Sequence, residues 1–171
     1  ETTLKVYKAE VQFLRALFYN KLADTYGGVP LYTQSVSIDE SKVKQSTKDQ
    51  VITQVISDLD FAIANLPDKA YTDGHAVKGS ALALKARVLL YMSRWAEAAA
   101  AAKQVMDLGK FSLFNNYRTL FLATGQNNNS EIIFSARYLN PDQFTNLDIR
   151  WNWHGVVNPR KELVDDYECK D

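Results

Sequence analysis

The chain is short of several things that would announce a function. It has one cysteine, Cys169, so an intrachain disulfide and a zinc site built on several cysteines are excluded. Its two histidines, His75 and His154, lie far apart, which excludes an H-E-x-x-H helix or a His-rich metal site. Charge of neither sign dominates: 20 Lys+Arg balance 20 Asp+Glu. With no basic stripe, electrostatic binding of nucleic acid has no footing. The strongest apolar run, Val88 to Met92, is far too short to span a bilayer. No G-x-S-x-G, P-loop or G-x-G-x-x-G occurs. The start carries no Met, no positively charged region and no signal-type apolar core. The expectation is that a leading piece was removed or that the chain belongs to something longer.

What is present is helical periodicity. With 171 residues and 46% hydrophobic content, the chain can build one sizeable core. A first helix is expected from about Leu4 to Tyr26. Val11, Leu14, Phe18 and Leu22 share one face, widened by Leu17 and Tyr26, and that face is expected to be the buried one. Gly27, Gly28 and Pro30 supply a strong stop. Residues 32–46 read as a loop. Thr47 and Gln50 form a capping box that starts a second helix, whose Val51, Val55, Leu59 and Ile63 recur every fourth residue until Pro67.

A third helix is expected over about 78–93. Leu82, Leu84, Val88, Leu89, Leu90 and Tyr91 make it apolar on more than one side, as in a helix buried between neighbours. A brief break at Ser93 and Arg94 precedes a fourth helix from Trp95 to Leu108, closed by Gly109. It contains five consecutive alanines, Ala98 to Ala102, which favour helix and close helix approach. Helices three and four resemble one tetratricopeptide repeat, with Ala86, Trp95 and Ala98 at matching spacings. Ser93 and Arg94 stand where that repeat usually has Gly and Asp.

Beyond Phe111 the texture changes. Leu120 to Leu122 suggest a helical turn, and residues 126–129 a polar loop. Glu131 to Tyr138 (EIIFSARY) reads as a strand, being rich in β-branched and aromatic residues. Residues 140–154 read as irregular, and Pro159 to Tyr167 as a short helix. The expected fold class is therefore mainly α: a tetratricopeptide-like lobe of two antiparallel helix pairs over residues 1–110, and a small irregular, strand-bearing appendage over 111–171.

Four stretches resemble the SusD/RagB family of outer-membrane nutrient-binding proteins. Ala9 to Leu31 (AEVQFLRALFYNKLADTYGGVPL) is similar to that family's A-E-x-x-F-L-R-A…YG-x-VPL signature. Ala81 to Met106 is similar to its repeat helices. Asn127 to Tyr138 (NNNSEIIFSARY) is similar to its N-x-E-I-I-F strand, and Asn158 to Asp171 (NPRKELVDDYECKD) to a P-x-x-E-L-V-D-x-Y-E-x-K-D-G segment. The resemblance implies a protein lipid-anchored at the cell surface of a Gram-negative bacterium, with no enzymatic activity and no cofactor. It implies a partner oligosaccharide or other nutrient and a TonB-dependent, SusC-like transporter on which the protein sits as a lid. It also implies a full length roughly two- to threefold greater, in keeping with a multi-lobed scaffold. The lipid anchor would lie outside this chain, because Cys169 is at the wrong end to carry it.

Several charged and reactive residues have plain structural roles open to them. The carboxylate pairs Asp58/Asp60 and Asp165/Asp166 are too close in sequence to flank a glycosidic bond from one helix, and read as solvated surface charges. Arg15 and Glu10 read as a helix-to-helix ion pair or a hydrogen bond to a loop carbonyl before they read as ligand contacts. Nothing near Cys169 lowers its pKa, so it reads as a small side chain. The candidate ligand-binding residues are Arg150, Trp151, Asn152, Trp153 and His154. Sugar C–H faces stack on aromatic rings, and sugar hydroxyls need amide or charged partners. The competing reading makes both tryptophans core anchors of the lobe. No catalytic and no metal-binding residues are expected. The sequence is compatible with three function classes: a nutrient-binding surface protein, a helical-repeat adaptor for other proteins without a small-molecule ligand, and a glycan-active enzyme.

Overall fold

Four principal helices follow one another in a computed structural model that describes residues 2–37, 42–120 and 129–135: α1 (Thr2–Tyr26), α2 (Lys48–Asn65), α3 (Lys78–Tyr91) and α4 (Trp95–Asp107). One turn of helix, α5 (Tyr117–Leu120), comes after them. The described residues up to Ser135 form one compact unit. The helix stops are those expected from the sequence. Gly27 adopts φ +74° and its N–H donates to the Ala23 carbonyl at 3.0 Å, a left-handed termination that only glycine makes cheaply. A Cβ on Gly28 would collide with the backbone carbonyl of Ser46, because the loop returns there and Ser46 N–H donates to the Val29 carbonyl at 3.0 Å. At the start of α2, Thr47 Oγ1 accepts from Gln50 N–H at 3.2 Å, and Gln50 Oε1 accepts from Thr47 N–H at 2.9 Å.

Helices α1 and α2 pack together, α2 packs on α3, and α3 packs on α4. The link between α3 and α4 spans only Met92, Ser93 and Arg94, so two helices in contact along their length must reverse direction there. Ser93 makes that reversal at φ 58°, in the left-handed region. The core is formed by Phe13 and Ala16 of α1, Val55 and Leu59 of α2, and Ala81 and Val88 of α3. Burying side chains the size of Val, Leu or Phe contributes about 1.5–3 kcal/mol each.

The buried face of α1 differs from the one expected. Ala9, Phe13, Ala16, Asn20 and Ala23 point inward, whereas Val11, Leu14, Phe18 and Leu22 are exposed. Small residues at the inner positions let α1 lie close against α2, so the alanines are buried and the larger stripe faces away. In α3, Leu82, Leu84, Val88 and Leu89 are buried as expected, but Leu90 and Tyr91 are exposed near the helix end.

The strand expected over Glu131 to Tyr138 is not formed across residues 131–135, which run as turn and bend. The only ladder-type pairing among the described residues is the isolated bridge between Pro30 and Gln45. The reason lies in where the carbonyls go. Ser80 Oγ donates to the Ile133 carbonyl at 2.8 Å, and Tyr71 Oη donates to the Ser135 carbonyl at 2.9 Å. Helix and loop side chains thus take the acceptors that a neighbouring strand would need. The segment still contributes to packing: Phe134 meets Phe13 edge-on with centroids 4.9 Å apart, and Tyr71 at 5.8 Å. Residues 136–138, the polar loop over 126–128, the irregular stretch 140–154 and the helix expected from Pro159 to Tyr167 lie outside the described residues, as do Phe121 and Leu122 of the expected turn.

Candidate functional site

The candidate residues Arg150, Trp151, Asn152, Trp153 and His154 lie outside the described residues. Within them, the charged groups singled out in the first helix take structural positions. Arg15 donates through Nε to Asp58 Oδ2 at 2.7 Å, through Nη2 to Asp58 Oδ1 at 2.6 Å, and through Nη1 to the Thr33 carbonyl at 2.7 Å. One guanidinium therefore ties α1, α2 and the loop after α1 together. Its pKa is raised, chiefly by the hydrogen bond to Asp58 and against the opposing effect of burial. Asp58 is only 2% exposed and also accepts from Gln54 Nε2 at 2.8 Å, so it is no solvated surface charge. Its neighbour Asp60 is exposed and pairs with Lys85 of α3.

Glu10 does the same work on the other flank. Its carboxylate accepts from Ala76 N–H at 3.0 Å and lies 2.9 Å from His75 Nδ1. This clasps the loop that leads into α3 against α1. A cavity of about 280 Å³ opens beside the clasp, with Tyr7, Val11, Leu14 and Phe134 in its lining.

A second opening has the chemistry of a recognition surface. Between α3 and α4 runs a groove of about 420 Å³, floored by alanines of both helices and edged by Arg87, Tyr91 and Trp95. Both aromatic rings are well exposed. Arg87 is exposed and makes no ion pair or side-chain hydrogen bond among the described residues. Two accessible rings and a guanidinium whose donors take no partner among the described residues have the chemistry to stack on and hydrogen-bond a hydroxyl-rich ligand. Periodicity alone does not reveal this set, because it places Trp95 at a repeat spacing and Tyr91 among the apolar residues of a buried helix. The spacing of Arg87 and Tyr91, one helical turn apart, was the available signal. No described helix is long and apolar enough to cross a membrane.

The SusD-like family model described as starch-binding, associating with the outer membrane, matches residues 1–90. The chain belongs to the SusD-like family. A SusD-like protein of Formosa agariphila is 30% identical over 134 residues, covering 76% of this chain and 25% of that protein. Among solved structures, a laminarin-binding SusD-like protein superposes with a TM-score of 0.77 at 32% identity, over 82% of this chain and 32% of its own. A SusD-like carbohydrate-binding protein from Bacteroides fragilis gives a TM-score of 0.76 at 29% identity, over 81% of this chain and 28% of its own. The fold is thus the helical-repeat, tetratricopeptide-like fold of SusD-like proteins, as expected from the helix pairs. This SusD-like chain spans about a quarter of the length of the curated relatives it matches.

Proposed function

We propose that this SusD-like chain serves a protein that binds glycans at the cell surface without turning them over. The observation that carries the reading is its likeness to a solved SusD-like protein that binds laminarin, joined to a family match described as starch-binding. Oligosaccharide is the ligand class. The bound glycan is handed to a TonB-dependent, SusC-like outer-membrane transporter, and the protein is held at the outer membrane by a lipid anchor outside this chain. The family description, which associates these proteins with the outer membrane, supports that placement.

Two aromatic surfaces are the proposed sugar contacts. One is the stretch from Arg150 to His154, where Trp151 and Trp153 stack and Arg150 and Asn152 hydrogen-bond. The other is the groove edged by Arg87, Tyr91 and Trp95. Titration calorimetry of the complete gene product with laminarin and malto-oligosaccharides tests the reading. Saturable binding with no new reducing ends supports it. Release of sugars points to an enzyme instead. Absence of binding to either series, with a protein partner retained on purification, points to the helical-repeat adaptor. Co-purification of a transporter from solubilised outer membrane tests the hand-off.

A further inference from the structure

Of the arginines whose side chains are described, two hold a carboxylate with two nitrogens each. Arg15 holds Asp58, and Arg94 holds Glu97 through Nε at 2.7 Å and Nη2 at 2.6 Å. Arg87 holds none among the described residues, and it stands at the edge of the α3–α4 groove. The two helices offer it no anion. Helix α3 contains neither Asp nor Glu. Helix α4 contains Glu97 and Asp107, and Arg94 and Lys103 take them. Among the described residues no carboxylate lines the groove. Its other edge residues, Tyr91 and Trp95, are exposed rings, and Ala98, Ala99 and Ala102 leave room beside them. At about 420 Å³ the groove falls within the size range of small-ligand pockets. One unmet positive charge thus borders an apolar stacking surface.

Given the glycan-binding reading above, on which this rests, we infer that the α3–α4 groove is a subsite for an acidic sugar, a uronate within a longer glycan. Arg87 takes its carboxylate in a two-nitrogen pair, and its ring stacks on Tyr91 or Trp95. A planar carboxylate matches the guanidinium fork, and such charge-assisted pairs are roughly twice as strong as neutral hydrogen bonds. A uronate carries its carboxyl at the rim of the sugar ring, beside the C–H face that stacks. Arg87 and Tyr91 lie one turn apart on α3, about 5.4 Å along the axis, so a sugar stacked on the tyrosine presents its rim within reach of the guanidinium. A neutral sugar gains the stacking without the ion pair, and the charge therefore sets the preference. An acidic peptide also offers a carboxylate. The family match described as starch-binding favours a sugar as its bearer.

Calorimetry on the complete gene product tests this with oligomers of galacturonate, glucuronate and mannuronate, each beside its methyl ester, in which the same ring has no charge. At least one acid series is expected to bind saturably and roughly tenfold more tightly than its ester. Arg87→Gln should shrink that difference to less than twofold. Its melting temperature should stay that of the parent, because Arg87 is exposed and takes no partner among the described residues. Arg87→Lys keeps the charge without the fork and should recover part of the preference. Trp95→Ala should weaken acid and ester by a similar factor. Equal binding of acid and ester would overturn the inference. So would a preference that survives Arg87→Gln because Arg150 or another cation supplies it, or binding of sulfated galactan oligomers with no uronate bound. Retention of an acidic peptide in the groove, with no uronate bound, would overturn it as well. Binding of laminarin or malto-oligosaccharides alone would sink the uronate assignment and leave the glycan-binding reading standing. If no glycan of either kind binds, both fall.

Discussion

Arg15 and Asp58 meet across the α1–α2 interface in a two-pronged pair, Nε to Oδ2 at 2.7 Å and Nη2 to Oδ1 at 2.6 Å. A buried ion pair adds little net stability over a well-packed apolar one, yet breaking it strands a charge. Arg15 remains 22% exposed, so water relieves part of that penalty. Asp58→Ala is therefore expected to cost about 3 kcal/mol, the low end of the range for such losses. The double change Arg15→Met with Asp58→Leu should cost much less. Urea unfolding of the three proteins decides it, and an Asp58→Ala loss below about 1 kcal/mol would show the pair to be dispensable.

Ser93 occupies the left-handed region at φ 58° in the turn between α3 and α4. A residue with a Cβ is disfavoured there by roughly 1–2 kcal/mol, and glycine is not. Glycine also loses more freedom on folding, which offsets part of the gain. Ser93→Gly should stabilise the chain by about 0.5–1 kcal/mol, seen as a higher melting temperature with an unchanged helical circular-dichroism signal. A destabilised variant would mean that the serine side chain matters to the turn.

The capping box at Thr47 satisfies two backbone N–H donors at the start of α2, those of Thr47 and Gln50. Removing the hydroxyl leaves Gln50 N–H without its acceptor. Thr47→Ala should destabilise by about 1 kcal/mol. Thr47→Ser keeps the oxygen and should be close to neutral. Equal losses for the two variants would assign the effect to the methyl group rather than to the cap.

The turn before α3 should loosen in acid. The Asp73 carboxyl is held below the ordinary carboxylate range, first by the hydrogen bond from Lys69 and then by the His75 N–H. A carboxylate whose folded pKa is depressed stabilises above its unfolded pKa, about 3.9, and loses that contribution as pH falls through the lowered folded value. Protection of the His75 amide from hydrogen exchange should therefore fall only below the usual Asp titration, and Asp73→Asn should remove that dependence. A titration of Asp73 above the ordinary value by NMR would contradict the ordering.

The two aromatic surfaces are separable by mutation. A stacking ring at a sugar site contributes on the order of 1–2 kcal/mol, so Trp153→Ala should weaken glycan binding roughly tenfold with the helical signal intact. Trp95→Ala should do the same if the α3–α4 groove is in contact with the glycan. A lower melting temperature with unchanged affinity would make either tryptophan a core anchor.

Helix existence and helix ends were legible because their signals are local. Gly27, Thr47 with Gln50, Pro67 and Gly109 act on the backbone within a turn of themselves, and no distant residue can override them cheaply. The orientation of α1 was not legible. Its two apolar sides compete on any helical projection, and the side chosen from the sequence had the larger residues. Close approach of helices selects the opposite side, where Ala9, Ala16 and Ala23 sit. Asp58 looked like any solvated carboxylate because its partner lies 43 residues away. The β-branched run after Glu131 had real strand preference, but a strand needs an edge to pair with. Here the acceptors at Ile133 and Ser135 face hydroxyls from Ser80 and Tyr71 instead.

The edge-on contact between Phe13 and Phe134 has a consequence in time rather than in space. Every helix of the lobe can nucleate from neighbours in sequence, and such local contacts form early. Phe13 waits longer for its lid, because Phe134 leaves the ribosome only after α1 through α4 have all been made. Until then the nascent lobe carries an unsealed aromatic patch at its centre. The contact of Phe134 with Phe13 is therefore among the last in the described lobe that synthesis permits.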